Sequence, residues 1–105
     1  MLAYCLAIDD DDLLFKALAD PTRRAVVEAL SERGGQTLFE ICVRLAMQHG
    51  VASTRQAISQ HLEVLAEAGL VRSRREGRYK FHDLDPAPLR AMAHRLLEQL
   101  PEETP

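Results

Sequence analysis

The chain has 105 residues, 47% of them hydrophobic, which is enough for one domain with a modest core. Its 13 Lys and Arg residues against 16 Asp and Glu residues give a formal net charge of -3. No stretch reaches the roughly 18 apolar residues of a membrane span, and two cysteines, Cys5 and Cys42, are too few for a disulfide framework. We therefore expect a single-domain cytoplasmic protein with free thiols and no membrane partner.

The first eleven residues are expected to form a leader, because the run from Asp9 to Asp12 repels itself and is solvated; a helix start is the alternative. The first predicted helix carries a short apolar stripe and ends near Asp20-Pro21. Asp20 can cap, and Pro21 can begin, a second helix that is expected to stop at Gly34-Gly35. The predicted buried face of the second helix consists of Ala25, Val26, Ala29 and Leu30.

Two capped helices follow, joined by a short turn. Thr37 and Glu40 have the spacing of a capping box, which predicts the start of a third helix. Thr54 can cap a fourth helix that closes at Gly69. The predicted inner faces consist of Leu38, Ile41, Leu45 and Ala46 in the third helix and Ile58, Leu62, Leu65 and Ala66 in the fourth. This order is typical of a helix-turn-helix.

After Gly69 the pattern changes to the alternation of a β-hairpin, with Gly77 supplying the turn. Asp85-Pro86 then starts a last helix, whose apolar positions recur over about three turns until Pro101. Residues 101–105 are expected to form a tail. The sequence therefore predicts a mainly α fold, a winged helix-turn-helix of about five helices with a small β-hairpin wing, over residues 12–100.

Charge is polarised along the chain, because residues 53–82 carry six basic and three acidic side chains and the remainder is net negative. The second helix of a helix-turn-helix lies in the major groove, where outward Arg and Gln can read bases. The DNA-contacting candidates on the fourth helix are Thr54, Arg55, Gln56, Ser59, Gln60 and His61. On the hairpin they are Arg72, Arg74, Arg75, Arg78 and Lys80, with Glu76 as the one local acid expected to relieve their repulsion. A solvated helix face and an edge strand that deters aggregation are the alternatives.

Three blocks of sequence carry a resemblance to a known family. They are Phe-Lys-Ala-Leu-Ala-Asp-Pro-Thr-Arg-Arg (residues 15–24), Ile-Ser-Gln-His-Leu-Glu-Val-Leu-Ala-Glu-Ala-Gly-Leu-Val (58–71) and Arg-Arg-Glu-Gly-Arg (74–78). In this order and spacing they resemble the ArsR family of winged-helix repressors, from about Asp12 to Leu89. The resemblance implies a homodimer built mainly from the first and last helices, with each protomer on one half of an inverted-repeat operator in double-stranded DNA.

Apolar side chains on the first and last helices exceed what a small core should need, which also favours a dimer. The candidate interface residues are Leu13, Leu14, Leu18, Leu89, Met92, Leu96, Leu97 and Leu100.

Many members of this family release DNA when a metal binds, often through a Cys-x-Cys pair after Glu-Leu. The segment Glu40-Ile41-Cys42-Val43-Arg44 keeps the first thiol but has arginine in place of the second. Cys5 could add one more thiolate, whereas a tetrahedral site usually needs three or four protein ligands. The family's other metal site lies on the last helix. The candidate ligands for it here lack the required spacing; they are Asp83, Asp85, His94 and Glu98.

We therefore expect no metal and no cofactor, and the effector stays unknown. A metal- or thiol-responsive repressor that uses Cys42 and Cys5 is the alternative. The sequence contains no nucleophile paired with a base, no carboxylate pair and no phosphate-binding loop. It therefore gives no indication of an enzyme. A winged helix used for protein contacts alone is a further alternative. The predicted function is that of a dimeric, sequence-specific DNA-binding transcriptional regulator, a repressor of its own or a neighbouring operon.

Overall fold

The computed structural model describes residues 10–102, which form five helices and one two-stranded antiparallel sheet. In chain order the elements are α1 (Asp10–Leu18), α2 (Pro21–Glu32), α3 (Leu38–Gln48), α4 (Arg55–Glu67), β1 (Val71–Glu76), β2 (Tyr79–Leu84) and α5 (Ala87–Gln99). This arrangement confirms the predicted mainly α fold with a hairpin wing. No helix among these residues is long and apolar enough to cross a membrane.

The helices begin where the sequence provides a cap. The Asp20 carboxylate accepts hydrogen bonds at the start of α2, and Pro21 occupies the first turn, where its missing N–H costs nothing. The predicted capping box at α3 is present, because Thr37 and Glu40 each accept a backbone N–H from the other. Helix α1 begins at Asp10, two residues inside the segment predicted as a leader, and residues 1–9 lie outside the described part of the chain.

The core is built from one stripe of each helix together with the start of the hairpin. Its fully buried members are Leu14, Ala17, Val26, Ala29, Leu30, Ile41, Leu45, Ile58, Leu65 and Leu70. Two predicted inner-face residues, Ala46 and Ala66, are exposed instead. Each follows a buried leucine by one position, which turns it about 100° around the helix and out of the stripe.

The hairpin closes through a two-residue loop, Gly77 and Arg78, between the paired residues Glu76 and Tyr79. Gly77 has a φ of 64°, whereas Arg78 keeps a negative φ, which is the arrangement of a type II′ turn. Glycine is needed at the first loop position because side chains disfavour this conformation. The register then sets Arg75 opposite Lys80.

Candidate nucleic-acid interface

The turn between α3 and α4 determines where the second helix starts. Gly50 has a φ of 66°, and the N–H of Val51 donates to the Leu45 carbonyl at 2.9 Å, which reverses the chain after α3. Thr54 then caps α4, its Oγ1 accepting a hydrogen bond from the Ala57 N–H at 3.1 Å. The first turn of α4 is consequently presented at the surface.

The outward face of α4 carries hydrogen-bonding side chains. Ile58, Leu62 and Leu65 are buried on the opposite face and fix the rotation of the helix about its axis. The predicted residues that the structure leaves exposed or half-exposed on α4 and at its cap are Thr54, Arg55, Gln56, Ser59 and Gln60. Arginine and glutamine can form paired hydrogen bonds with guanine and adenine edges in the major groove. The face therefore has the chemistry that base reading requires.

His61 lies elsewhere than predicted. Its Nδ1 is 3.2 Å from Nη1 of Arg23, and the ring is half-buried. Arg23 in turn donates through Nε to the Ala17 carbonyl at 2.7 Å. Because His61 follows Ile58 by three positions, it flanks the buried stripe of α4. His61 thus joins α4 to α1 and α2, and we correct its inclusion among the outward DNA-contacting side chains.

Asp20 strengthens the same junction. Its Oδ1 accepts hydrogen bonds from the N–H groups of Thr22 at 2.8 Å and Arg23 at 3.1 Å. Burial acts to raise the pKa of Asp20, but these hydrogen bonds and the nearby charges of His61 and Arg23 lower it below its ordinary value. The carboxylate therefore stays charged and remains an effective cap for α2.

The two faces of the hairpin have different surroundings, because successive side chains of a strand point to opposite sides. Ser73 and His82, a cross-strand pair, line a cleft with side chains of α4. Lys80 belongs to the same face and also lines that cleft. Arg72 and Arg74 are on the other face, away from α4. The wing therefore divides its predicted cations between two sides.

Two of those cations have partners within the chain. Nη2 of Arg72 lies 3.6 Å from Oδ2 of Asp85. Arg74 pairs with Glu76 and, at 3.4 Å, with Asp83. The expectation that Glu76 alone relieves the positive charge was therefore wrong, because the other two acids come from the return strand and the residue after it. Such a pairing depends on the register of the hairpin.

The remaining wing cations are Arg75, Arg78 and Lys80. All three are exposed, and none forms an ion pair with any residue between positions 10 and 102. Arg75 and Lys80 face each other directly across the strands, where like charges destabilise a hairpin. An anion such as a DNA phosphate would relieve this repulsion.

Backbone hydrogen bonds attach the hairpin to the loop before α3. The N–H of Gln36 donates to the His82 carbonyl at 3.1 Å, and the His82 N–H donates back to the Gln36 carbonyl at 2.8 Å. The buried Gln36 side chain also donates to the Ala29 carbonyl at the end of α2. Asp83 accepts the N–H of Gly35 at 2.7 Å. The wing is therefore held in a defined position relative to the helix-turn-helix.

His82 is buried at the base of the hairpin. Burial lowers the pKa of its imidazole, the charge of Lys80 lowers it further, and Asp83 offsets only part of this effect. The ring is therefore neutral at neutral pH.

Cys42 is half-buried in α3, against the core. Burial raises the pKa of its thiol, and the charge of nearby Arg55 offsets this only in part. A reactive thiol would need the opposite shift. Over the described range 10–102, no three His, Cys, Asp or Glu side chains are grouped so that they could hold a metal ion. Cys5 lies outside that range.

The remaining metal candidates are engaged in other contacts. His94 and Glu98 form an exposed pair along α5, with Nε2 and Oε1 3.1 Å apart. Asp83 and Asp85 pair with the wing arginines described above. Arg44, at the position of the family's second thiol, lies 3.3 Å from a carboxylate oxygen of Glu32.

An exposed apolar surface extends over α1 and α5, which contact each other through an ion pair between Asp11 and Arg95. Leu96, Leu97 and Leu100 of the predicted interface are exposed, with fractional exposures of 43%, 69% and 61%. The predicted interface residues that are half-buried are Leu13, Leu18 and Leu89. Exposed apolar side chains grouped in this way are a feature of surfaces that bind another protein chain.

Two predicted interface residues belong to the protomer core. Leu14 and Met92 have fractional exposures of 1% and 7%, because they point from α1 and α5 into the helix bundle. Side chains with so little exposed area can contribute almost no contact area to a dimer, so both assignments are corrected. Phe15, which is 50% exposed on α1, was not among the predicted interface residues.

Two cation–π contacts at the candidate nucleic-acid interface were also not predicted from the sequence. The guanidinium of Arg55 lies 5.6 Å from the ring centroid of Phe39, and that of Arg74 lies 5.0 Å from the centroid of Phe81. Phe81 is paired directly with Arg74 across the strands, a signal that a register assignment could have used. The Phe39 contact joins two helices and has no local signature.

A capped α3–α4 pair beside a basic hairpin defines the class of winged helix-turn-helix DNA-binding proteins. A model of the helix-turn-helix domain matches residues 18–74. The HTH-type transcriptional regulator YuzN of Bacillus subtilis strain 168 is 47% identical over 79 residues, which is 75% of this chain and 86% of YuzN. The arsenical resistance operon repressor of Escherichia coli strain K12 is 37% identical over 73 residues, covering 70% of this chain and 57% of the repressor.

Solved structures agree with these relatives. The crystal structure of the ArsR family transcriptional regulator RHA00566 matches with a TM-score of 0.70 at 31% identity, over 86% of each chain. The chain belongs to the ArsR family of winged helix-turn-helix transcriptional regulators. Its fold and family are those of DNA-binding regulators and not of enzymes.

Proposed function

We propose that the protein is a homodimeric repressor that binds an inverted-repeat operator in double-stranded DNA. In this proposal α4 of each protomer enters the major groove, and the hairpin contacts the backbone or the adjacent minor groove. The regulated genes are its own operon or a neighbouring one, and the protein acts in the cytoplasm, where that DNA is. The name of the E. coli relative, an operon repressor, supports repression as the mode of regulation.

One observation carries this proposal. Gln56 and Gln60 are exposed on α4, and the hairpin that packs against α4 carries the cations Arg75, Arg78 and Lys80, which have no ion pair among residues 10–102. Uncharged hydrogen-bonding groups suit base edges, whereas unpaired cations suit phosphates. A winged helix that bound only proteins would not require uncharged hydrogen-bonding groups and unpaired cations on neighbouring elements.

The exposed apolar side chains of α1 and α5 support dimerisation. Phe15, Leu96, Leu97 and Leu100 are 43% to 69% exposed in the protomer. A second copy that covers the same surface forms a closed two-fold interface, the commonest kind in soluble oligomers. The two α4 helices of such a dimer would read half-sites about 34 Å apart, one turn of DNA.

We further propose that operator binding requires no metal ion or cofactor. The raised pKa of Cys42 and the ion pair of Arg44 with Glu32 both disfavour a metal site at the start of α3. Dialysis against EDTA should therefore leave the operator affinity within about twofold of the untreated protein. A metal requirement would appear as a loss of affinity that zinc restores.

The direct test is binding to the DNA upstream of the protein's own gene and of the neighbouring operons, measured by fluorescence anisotropy at several salt concentrations. Six phosphate contacts, three for each protomer, predict a slope of log K against log salt of about -5. A scrambled duplex of the same length should bind more weakly by a factor of at least about 1,000. A flat salt dependence, or equal binding to both duplexes, would exclude the repressor and favour a protein-binding winged helix.

A further inference from the structure

A half-open cleft of about 400 Å³ lies between α4, the hairpin and the start of α3. This volume is within the range of pockets that hold small organic molecules. The cleft lies on the side of the wing that faces α4, so an occupant would sit between the two elements proposed to contact DNA. Its composition indicates what kind of molecule it could take.

The lining combines an apolar patch with a larger number of polar and charged side chains. Phe39, which is 59% exposed, and half-buried Leu38 supply accessible apolar surface at the start of α3, and the buried core residues Leu62 and Val71 also line the cleft. Hydroxyl groups come from Ser59 on α4 and Ser73 on β1. A sugar-phosphate backbone at the mouth of the cleft is polar and charged, so it would not interact favourably with an apolar lining. The apolar patch can contact the body of a small organic ligand, and the polar groups can fix its orientation.

The charged side chains that line the cleft are mostly cationic. Arg55, Arg78 and Lys80 contribute positive charge, and Glu63 contributes the single carboxylate. None of the four forms an ion pair with the residues described by the structure, 10 to 102. Arg55 is held across one end of the cleft by its contact with the Phe39 ring. The cleft therefore has an excess of positive charge available to a ligand.

His82 adds a polar group without adding charge. It also lines the cleft, and burial together with the Lys80 charge lowers the pKa of its imidazole. A neutral imidazole offers one hydrogen-bond donor and one acceptor. The excess of positive charge near pH 7 consequently comes from the arginine and lysine side chains alone.

We propose that this cleft binds a small organic anion with an apolar body, and that the bound anion blocks operator binding by occupying the space between α4 and the wing. The apolar body contacts Leu38 and Phe39, and its acidic group lies among Arg55, Arg78 and Lys80. The second half of the proposal, competition with DNA, rests on the proposed repressor function. The first half does not.

The binding test uses 2-naphthoate as the probe, followed by ¹H–¹⁵N NMR of the full chain without DNA. We expect saturable shifts of amides in α4 and the hairpin, and at least fivefold weaker binding of the uncharged analogue 2-naphthamide. Glu63→Gln should tighten naphthoate binding by about two- to fivefold, because it removes the only carboxylate of the lining. Lys80→Gln should weaken it by a similar factor.

Arg72→Gln is the matched control, because Arg72 is an exposed wing cation on the face of the hairpin away from α4 and does not line the cleft. It should leave the naphthoate affinity unchanged. Equal binding of naphthoate and naphthamide, no response to Glu63→Gln, or shifts confined to α1 and α5 would overturn the proposed site.

A second variant separates the two halves of the proposal. Ala66→Phe fills the cleft from an exposed position of α4 that is outside the proposed DNA-contacting set. Naphthoate should release operator DNA from the wild-type protein but not from this variant. If naphthoate binds in the cleft and DNA stays bound, the competition fails and the ligand site stands. If no operator is bound at all, the repressor function fails, and the NMR result still decides the ligand site.

Discussion

Gln56 and Arg75 represent the two kinds of contact proposed at the DNA interface. Gln56 is an exposed amide at the start of α4, and Arg75 is an exposed cation on β1. Gln56→Ala should reduce discrimination between the operator and a variant with one altered base pair by about 1–3 kcal/mol. Arg75→Ala should weaken binding to every sequence and reduce the salt slope by about one for each protomer. Anisotropy titrations on operator and scrambled DNA measure both effects.

Gln99→Ala is the control for these titrations, because Gln99 is an exposed glutamine on α5 and should not affect either quantity. Unchanged operator binding in both Gln56→Ala and Arg75→Ala would contradict the proposed interface. A uniform loss with Gln56→Ala, without a change in discrimination, would assign that residue to the backbone instead.

His82 gives the stability of the fold a pH dependence. The pKa of its imidazole is lowered by burial in the folded protein, whereas in the unfolded chain it is about 6.5. Below about pH 6.5 the unfolded state therefore binds more protons, and stability falls as the pH falls toward the folded-state pKa. Above pH 6.5 both states are neutral at this residue and the contribution is complete.

The expected result is a smaller loss of melting temperature between pH 7.5 and 5.5 for His82→Gln than for the wild type, measured by circular dichroism. The change in melting temperature between the two pH values is compared for each protein, so that any effect of the substitution that does not depend on pH cancels. His94→Gln, at an exposed position, is the control and should retain the wild-type difference. An identical pH response in all three proteins would mean that His82 titrates normally in the folded state.

At the scale of elements, the attachment of the wing depends on Asp83. Its Oδ1 accepts the Gly35 N–H at 2.7 Å, and its Oδ2 lies 3.4 Å from Nε of Arg74. Asp83→Ala should release the hairpin from the loop before α3 while the helical core stays folded. We expect faster hydrogen exchange in β1 and β2, and a loss of operator affinity of about tenfold without a change in the contacted bases.

Glu76→Ala is the matched control, because it removes the other ionic partner of Arg74 without affecting the contact between the hairpin and the loop before α3. Its hydrogen exchange should stay close to that of the wild type. If Asp83→Ala leaves exchange in the hairpin unchanged, the backbone bridge between Gln36 and His82 is sufficient to hold the wing.

The elements that could be predicted from sequence are those with local signals. Asp20, Thr37 and Thr54 cap the helices they were expected to cap, because a capping bond spans only two or three residues. Ala46 was assigned to a buried face and is exposed, because hydrophobic periodicity gives the centre of a stripe more reliably than its edge. The cap sites could be read from the chain because they depend on nearest neighbours.

The misassigned site residues all depend on contacts between distant parts of the chain. His61 contacts Arg23, 38 positions away, and so turns from the DNA face to the helix junction. Met92 points from α5 into the helix bundle and is only 7% exposed. Only the packing of α1 on the helix bundle distinguishes buried Leu14 from half-buried Leu13. Tertiary contacts, and not the local pattern, decided these positions.

At the scale of the whole molecule, a net charge of -3 coexists with a positively charged DNA-binding segment. Local potential guides docking more than net charge does, and the acidic remainder would orient the wing and α4 toward DNA. One protomer presents only three wing cations without an ion pair among residues 10–102, so its separate affinity for DNA should be low. Tight operator binding would then require two linked half-sites.

Leu97→Glu tests that requirement, because Leu97 is 69% exposed on α5 and the substitution adds charge to the proposed dimer surface. It should give a monomer by sedimentation velocity at micromolar concentration, with unchanged helix content. Loss of the second half-site should weaken operator binding by at least about 100-fold, whereas binding to a single half-site should hardly change.

Ala91→Glu is the matched control, since Ala91 is exposed on the same helix but roughly 120° around it from Leu97. It should remain dimeric and bind the operator normally. If Leu97→Glu stayed dimeric, the interface would lie outside the exposed part of α5. If it became monomeric and kept full operator affinity, one protomer would suffice, and the apolar surface of α1 and α5 would then serve a different partner.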